Sequence, residues 1–158
     1  MKKRKNILCC DWRKERFSIV EGEKCFSNTI LYKHKGNFTW RGIRKEKYKL
    51  LGKGWTNIIR QTLIGSHGET AKFHVRYFEI APGGYSSFEK HRHEHVVVGI
   101  RGKGICIAGK KKFSIGFLDT AYIAPEDSHQ LRNPFKEPFG FLCIVNAKRD
   151  RPKIVTGN

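Results

Sequence analysis

Acidic residues are scarce in this 158-residue chain: 14 Asp and Glu stand against 32 Lys and Arg, for a formal charge of +18. No apolar run approaches the ~20 residues that a membrane-spanning helix needs, so no membrane partner is expected. The basic start, Met1 to Lys5, is followed only by the short apolar stretch Ile7 to Cys10, which Asp11-Trp12-Arg13 ends. A signal peptide needs a longer apolar region, and a cytoplasmic location is expected. The five cysteines (Cys9, Cys10, Cys25, Cys106, Cys143) are odd in number and form no CxxC pair. A disulfide framework is therefore not expected. Helical apolar periodicity never exceeds two turns, and no internal repeat is evident. What remains is 39% hydrophobic and 12% aromatic, a composition that builds one globular domain with a core.

The charge is uneven. Residues 1–60 hold 17 Lys/Arg and 5 Asp/Glu, so 17 − 5 = +12, and residues 61–158 hold 15 and 9, so 15 − 9 = +6. A basic surface attracts anions, from phosphorylated metabolites to nucleic acid. Aromatics interleave with the basic leader (Trp12, Phe17, Tyr32, Phe38, Trp40, Tyr48, Trp55). No nucleic-acid motif accompanies them, and nucleic acid is not expected as the main partner.

From residue 72 the pattern is that of strands. Lys72–Ile80 is rich in aromatic and β-branched residues, and Ala81-Pro82-Gly83-Gly84 is expected to end it. Further strands are expected at 56–63, 86–92, 95–101, 105–108, 112–115, 121–124, 129–132 and 139–145, punctuated by Gly and Pro. Short, evenly spaced strands indicate an all-β sandwich or barrel. Cys106 and Cys143 lie in apolar runs, as small buried residues do.

The segment Glu89-Lys90-His91-Arg92-His93-Glu94-His95 packs three histidines and two glutamates into seven residues. On an unbroken strand, residues 89, 91, 93 and 95 share one face. Imidazoles and a carboxylate on one face are how proteins build sites for first-row metals. His129 is a further candidate at the start of another expected strand.

Pro82 to Gly104 resembles the first motif of the cupins. Pro82-Gly83-Gly84 opens it and Gly102-Lys103-Gly104 closes it, seven residues past His95. In that register His95 takes the last ligand position, His91 the second histidine position, and Glu89 stands where the first histidine is usual. Pro125-Glu126-Asp127-Ser128-His129, with Asn133, resembles the second motif. Asp127 stands where glycine is usual, and Leu118-Asp119 replaces the usual Gly-Asp. The resemblance implies an all-β cupin (double-stranded β-helix, or jelly-roll) barrel over residues 56–158, with a basic extension over residues 1–55 packing on it. It implies one divalent transition metal (Mn, Fe, Ni, Co or Zn, with Mn or Fe favoured) held by Glu89, His91, His95 and His129. A bulge would bring His93 inward in place of Glu89.

The flanks Arg76–Ser87, Phe139–Val145 and Arg149-Asp150-Arg151-Pro152 are similar to a narrower group of small cupins that includes enzymes of methylthio-sugar salvage. That resemblance implies an enzyme using its metal as a Lewis acid on a small phosphorylated, sugar-like substrate, in the manner of a methylthio-ketose phosphate lyase. Tyr85, His93 and Glu94 are then candidates for proton transfer and Cys143 for a reacting thiol. Arg76, Arg41 and Arg44, with Lys49, are candidates for holding the phosphate. An iron-dependent oxygenase and a non-catalytic binding or sensor cupin are the alternatives. Exposed barrel edges suggest a homodimer.

Overall fold

The computed structural model describes residues 29–49 and 54–155, together with the backbone of residues 8–11 and 16–19. Residues 1–7, 12–15, 20–28 and 50–53 of the basic extension lie outside the described residues. The chain divides into two compact units, Met1–Leu31 and Tyr32–Asn158. In the first, β1 (Leu8–Asp11) and β2 (Arg16–Ile19) pair antiparallel, from Leu8↔Ile19 to Asp11↔Arg16.

The second unit is a barrel of two strand layers. One layer runs β3 (Glu46–Lys47), β4 (Thr56–Ile64), β5 (Phe73–Tyr85), β12 (Phe139–Asn146), β7 (His95–Arg101), β10 (Thr120–Ile123). The other runs β9 (Lys111–Ile115), β8 (Gly104–Ala108), β11 (His129–Arg132), β6 (Glu89–Lys90), β13 (Lys153–Ile154). Alternation decides what faces in. On β8 Gly104, Cys106 and Ala108 are buried while Ile105 and Ile107 are not fully so; on β12 Phe141, Cys143 and Val145 are buried. These side chains join Phe78, Ile80, Val97, Ile123 and Leu131 in one core. Removing them from water is the main drive to close the layers.

Residues 32–49 also pack on this unit. Phe38 stacks on Tyr77 with ring centroids 5.7 Å apart, and Tyr48 meets Phe78 edge-on at 5.8 Å.

Two strand expectations need correction. Ala81-Pro82-Gly83-Gly84 does not end β5, which continues to Tyr85. Gly83, at φ +75°, lets the strand bend, and the bent end changes partners. Its backbone bonds Asn133 (Gly83 N to Asn133 O, 2.8 Å; Asn133 N to Gly84 O, 2.9 Å), and Tyr85 pairs with Arg132. One strand thus serves both layers. The second correction concerns the strand expected at 86–92, of which only Glu89–Lys90 is paired. His91–Glu94 forms a loop, its backbone held by Glu126 N to His91 O (2.8 Å) and by Arg92 N to the Asp150 carboxylate (2.9 Å).

The loop positions where cupin motifs favour glycine keep that backbone shape without glycine. Leu118 and Glu126 both sit at φ +63°. The left-handed residue of the second motif is therefore Glu126, one place before the Asp127 assigned from the sequence.

Candidate metal centre

Three elements bring the imidazoles together. His91 leaves the end of β6, His95 opens β7 in the other layer, and His129 opens β11, where it lies directly opposite Glu89. One nitrogen from each of His91, His95 and His129 lies within 4.8 Å of the others.

Their hydrogen bonds fix which nitrogen is offered. Nδ1 of His91 lies 2.7 Å from the His93 carbonyl, and Nδ1 of His129 lies 2.8 Å from the Asp127 carbonyl. A carbonyl only accepts, so both Nδ1 atoms carry the proton and both Nε2 atoms present a lone pair. Nδ1 of His95 lies 3.0 Å from Cys143 Sγ, and its Nε2 faces Nε2 of His91 at 2.8 Å. That separation suits either an N–H···N hydrogen bond, with His95 protonated on Nε2 and accepting from the Cys143 thiol at Nδ1, or a cation bound by both nitrogens. Burial lowers the pKa of all three histidines, and neighbouring imidazoles lower those of His91 and His95 further, His95 to about 2. The three imidazoles are therefore neutral near pH 7. Neutral, converging imidazoles fit a divalent transition metal.

The triad lines a cavity of about 230 Å³. Glu89 shares this cavity but stands outside the three-histidine group. Its Oε2 accepts from Ser87 Oγ at 2.7 Å and forms a short ion pair with Lys49. Ser87 Oγ also receives Lys49 Nζ at 2.7 Å and lies 3.0 Å from the Tyr48 hydroxyl. Since the Ser87 proton is given to Glu89, Tyr48 is the donor to Ser87. His93 is not in the triad either. Its ring stacks on His91, with centroids 3.6 Å apart and planes 4° from parallel, and its Nδ1 lies 2.8 Å from Asp150. The Arg92 amide, and after it His93, hold the Asp150 carboxyl well below the usual range.

Arg76 and Cys143 are cross-strand partners on β5 and β12, so they share the inward face. Arg76 Nη2 lies 3.4 Å from Cys143 Sγ, its guanidinium rests 5.2 Å from the Phe78 ring, and its Nε is buried with no partner. A buried unsatisfied donor of this kind costs about 1–3 kcal/mol. Burial raises the Cys143 thiol pKa, and Arg76 opposes that rise.

Of the residues singled out from the sequence, Arg76, Glu89, His91, His93, His95, His129 and Cys143 all line the cavity. Tyr85, Glu94, Arg41 and Arg44 do not. Tyr85 is half-buried where β5 meets β11, and Glu94 accepts from Asn146 Nδ2 at 3.1 Å beside an outer groove. Arg41 and Arg44 are exposed, and Arg44 borders a separate groove with Thr62 and His67. Tyr48, Ser87, Arg60, Arg149 and Asp150 also line the cavity. Ser87 was legible as the residue two before Glu89. Tyr48 and Arg60 reach the cavity from residues far away in sequence and carried no local signal.

Residues 76–145 match the cupin domain family. The chain is 37% identical over 120 residues, 75% of its length and 76% of the relative's, to a protein of Rhodospirillum rubrum named 1-methylthio-D-xylulose 5-phosphate methylsulfurylase. Among solved structures, it resembles a cupin 2 conserved barrel domain protein from Rhodopseudomonas palustris (TM-score 0.74, 34% identity, 80% of this chain and 87% of that one). It also resembles a cupin-2 domain from Rhodospirillum rubrum (TM-score 0.70, 33% identity, 80% and 84%).

Proposed function

The chain belongs to the cupin domain family, and from that premise we propose that it is a metal-dependent enzyme acting on a methylthio-ketose phosphate or a close analogue. The observation that carries the proposal is the convergence of three neutral histidines, one thiol and one guanidinium whose buried Nε has no partner on a single small cavity. The name of the 37%-identical relative supports the substrate class.

His91, His95 and His129 would hold the ion. When bound, it supplies Lewis acidity that favours negative charge on the oxygens of a ketose. The protein's own groups do the rest. Lys49 and Ser87 fix the Glu89 carboxylate at one wall, and Asp150 fixes His93. Either Glu89 or His93 can then hold or pass a proton at a constant place. Cys143 Sγ, between His95 and Arg76, supplies a thiol for breaking a carbon–sulfur bond. A reductive break leaves the carbon with hydrogen and the two sulfurs joined, so two equivalents of external thiol, oxidised to their disulfide, must release the methylthio group as free thiol and restore Cys143.

The test is anaerobic incubation of the metal-loaded protein with a methylthio-ketose phosphate and excess thiol, with volatile thiol quantified. Release that falls at least ~100-fold in Cys143→Ser, while cation content is retained, is the expected outcome. Oxygen uptake under air without thiol release would instead identify an oxygenase and overturn the proposal.

A further inference from the structure

The segment Arg149-Asp150-Arg151-Pro152 follows the last long strand, yet Arg149, Asp150 and Pro152 all line the histidine cavity. Its placement is firm. Asp150 binds the His91–Glu94 loop through the Arg92 amide and His93, β13 pairs with β6 through Lys153↔Lys90 and Ile154↔Glu89, and Val155 N donates to Phe88 O at 2.9 Å. Arg149 Nη1 donates to the Asn146 carbonyl at 2.8 Å and lies 3.2 Å from His74 Nδ1. Its guanidinium is thereby held against β5, the strand that carries Arg76.

The charges around the cavity do not balance. Lys49 is paired with Glu89, and Arg60 is paired with Glu46 through two hydrogen bonds of 3.0 and 2.8 Å. Asp150 is occupied by His93 and the Arg92 amide. Arg76 and Arg149 remain, and among the described residues neither has a carboxylate partner. Arg149 is exposed at the cavity rim, and partial burial followed by the charge of Arg76 lowers its pKa. Two such forks, one with a buried and idle Nε, suit a dianion that accepts several hydrogen bonds at once.

We propose that Arg76 and Arg149 together seat the terminal phosphate of the substrate, so that the cavity selects a phosphomonoester over the free sugar. This rests on the proposed function for the substrate class, but it makes a separate claim about binding. Asp150 is a positioning residue here, keeping the segment that carries Arg149 against the cavity.

Calorimetric titration with D-xylulose 5-phosphate and with D-xylulose tests the seat without requiring turnover. The wild type should bind the phosphate ester at least about tenfold tighter than the free sugar. Arg149→Gln should erase most of that preference and leave D-xylulose binding unchanged. Equal binding of the two sugars by the wild type, or an undiminished preference in Arg149→Gln, overturns the proposal. If Arg149→Gln fails to fold, Arg149→Lys decides, because it keeps the charge and loses the fork. A reduced preference supports the seat and an unchanged one overturns it. A preserved preference for the ester without any thiol release would keep the seat and sink the reaction.

Discussion

His95 shows most clearly how burial sets chemistry at the level of single residues. Its pKa is lowered to about 2, first by burial and then by His129 and His91, and those of His91 and His129 are also lowered. In the unfolded chain each imidazole titrates near 6.5. A lowered folded pKa means that the unfolded state takes up protons first as pH falls. The stability is therefore fully present above about pH 6.5 and declines below it, by up to about 1.4 kcal/mol per pH unit for each imidazole that stays neutral. For the metal-free protein, the urea midpoint should fall steadily from about pH 7 to about pH 5, and a flat midpoint would contradict the assignment. The histidine pattern and its partner His129 were legible in the sequence, because spacing and residue type are local. Which nitrogen each would offer was not. That depends on the carbonyls of His93 and Asp127, which only the folded loops put in place.

Among the elements, most strands could be located from alternation and Gly/Pro punctuation, because a half-buried strand writes its period into the sequence. The failures came where tertiary contacts override local signals. Pro82-Gly83-Gly84 looks like a stop, yet the bond from Gly83 N to Asn133 carries the strand into the second layer. His91 and Arg92 look like the end of a strand, yet Asp150, more than 50 residues on, bonds the Arg92 amide within a loop. Leu118 is exposed and sits at φ +63°, so Leu118→Gly relieves strain and loses little packing. The gain should be about 1 kcal/mol, or roughly 2–4 °C in Tm, and a lowered Tm would count against the strain. At Gly104 a Cβ would sit 2.1 Å from the Phe139 ring. Gly104→Ala should cost about 1–3 kcal/mol by overpacking, read as a lower denaturant midpoint; an unchanged midpoint would show that the ring can move aside.

For the whole molecule, the +18 charge takes on a narrower meaning. Apart from Tyr48, Lys49, Ile58 and Arg60, the cavity is lined by residues from Arg76 to Pro152, so most of the site lies in the less basic part of the chain. Two of its positive groups, Arg76 and Arg149, nevertheless have no carboxylate partner among the described residues. We propose that the remaining surplus raises the rate at which small anions reach the protein. Its field is screened as the Debye length shortens from ~30 Å at low salt to ~8 Å at physiological salt. Salt should lower kcat/KM for a phosphorylated substrate while leaving kcat nearly constant; a kcat/KM insensitive to salt would show that the field plays no part. The central claim is the three-histidine centre, and metal content tests it most directly. Elemental analysis after loading and extensive dialysis should find about one divalent transition-metal ion per folded wild-type chain. His91→Ala and His129→Ala, each checked for native circular dichroism, should retain almost none, and full retention by both would contradict the account.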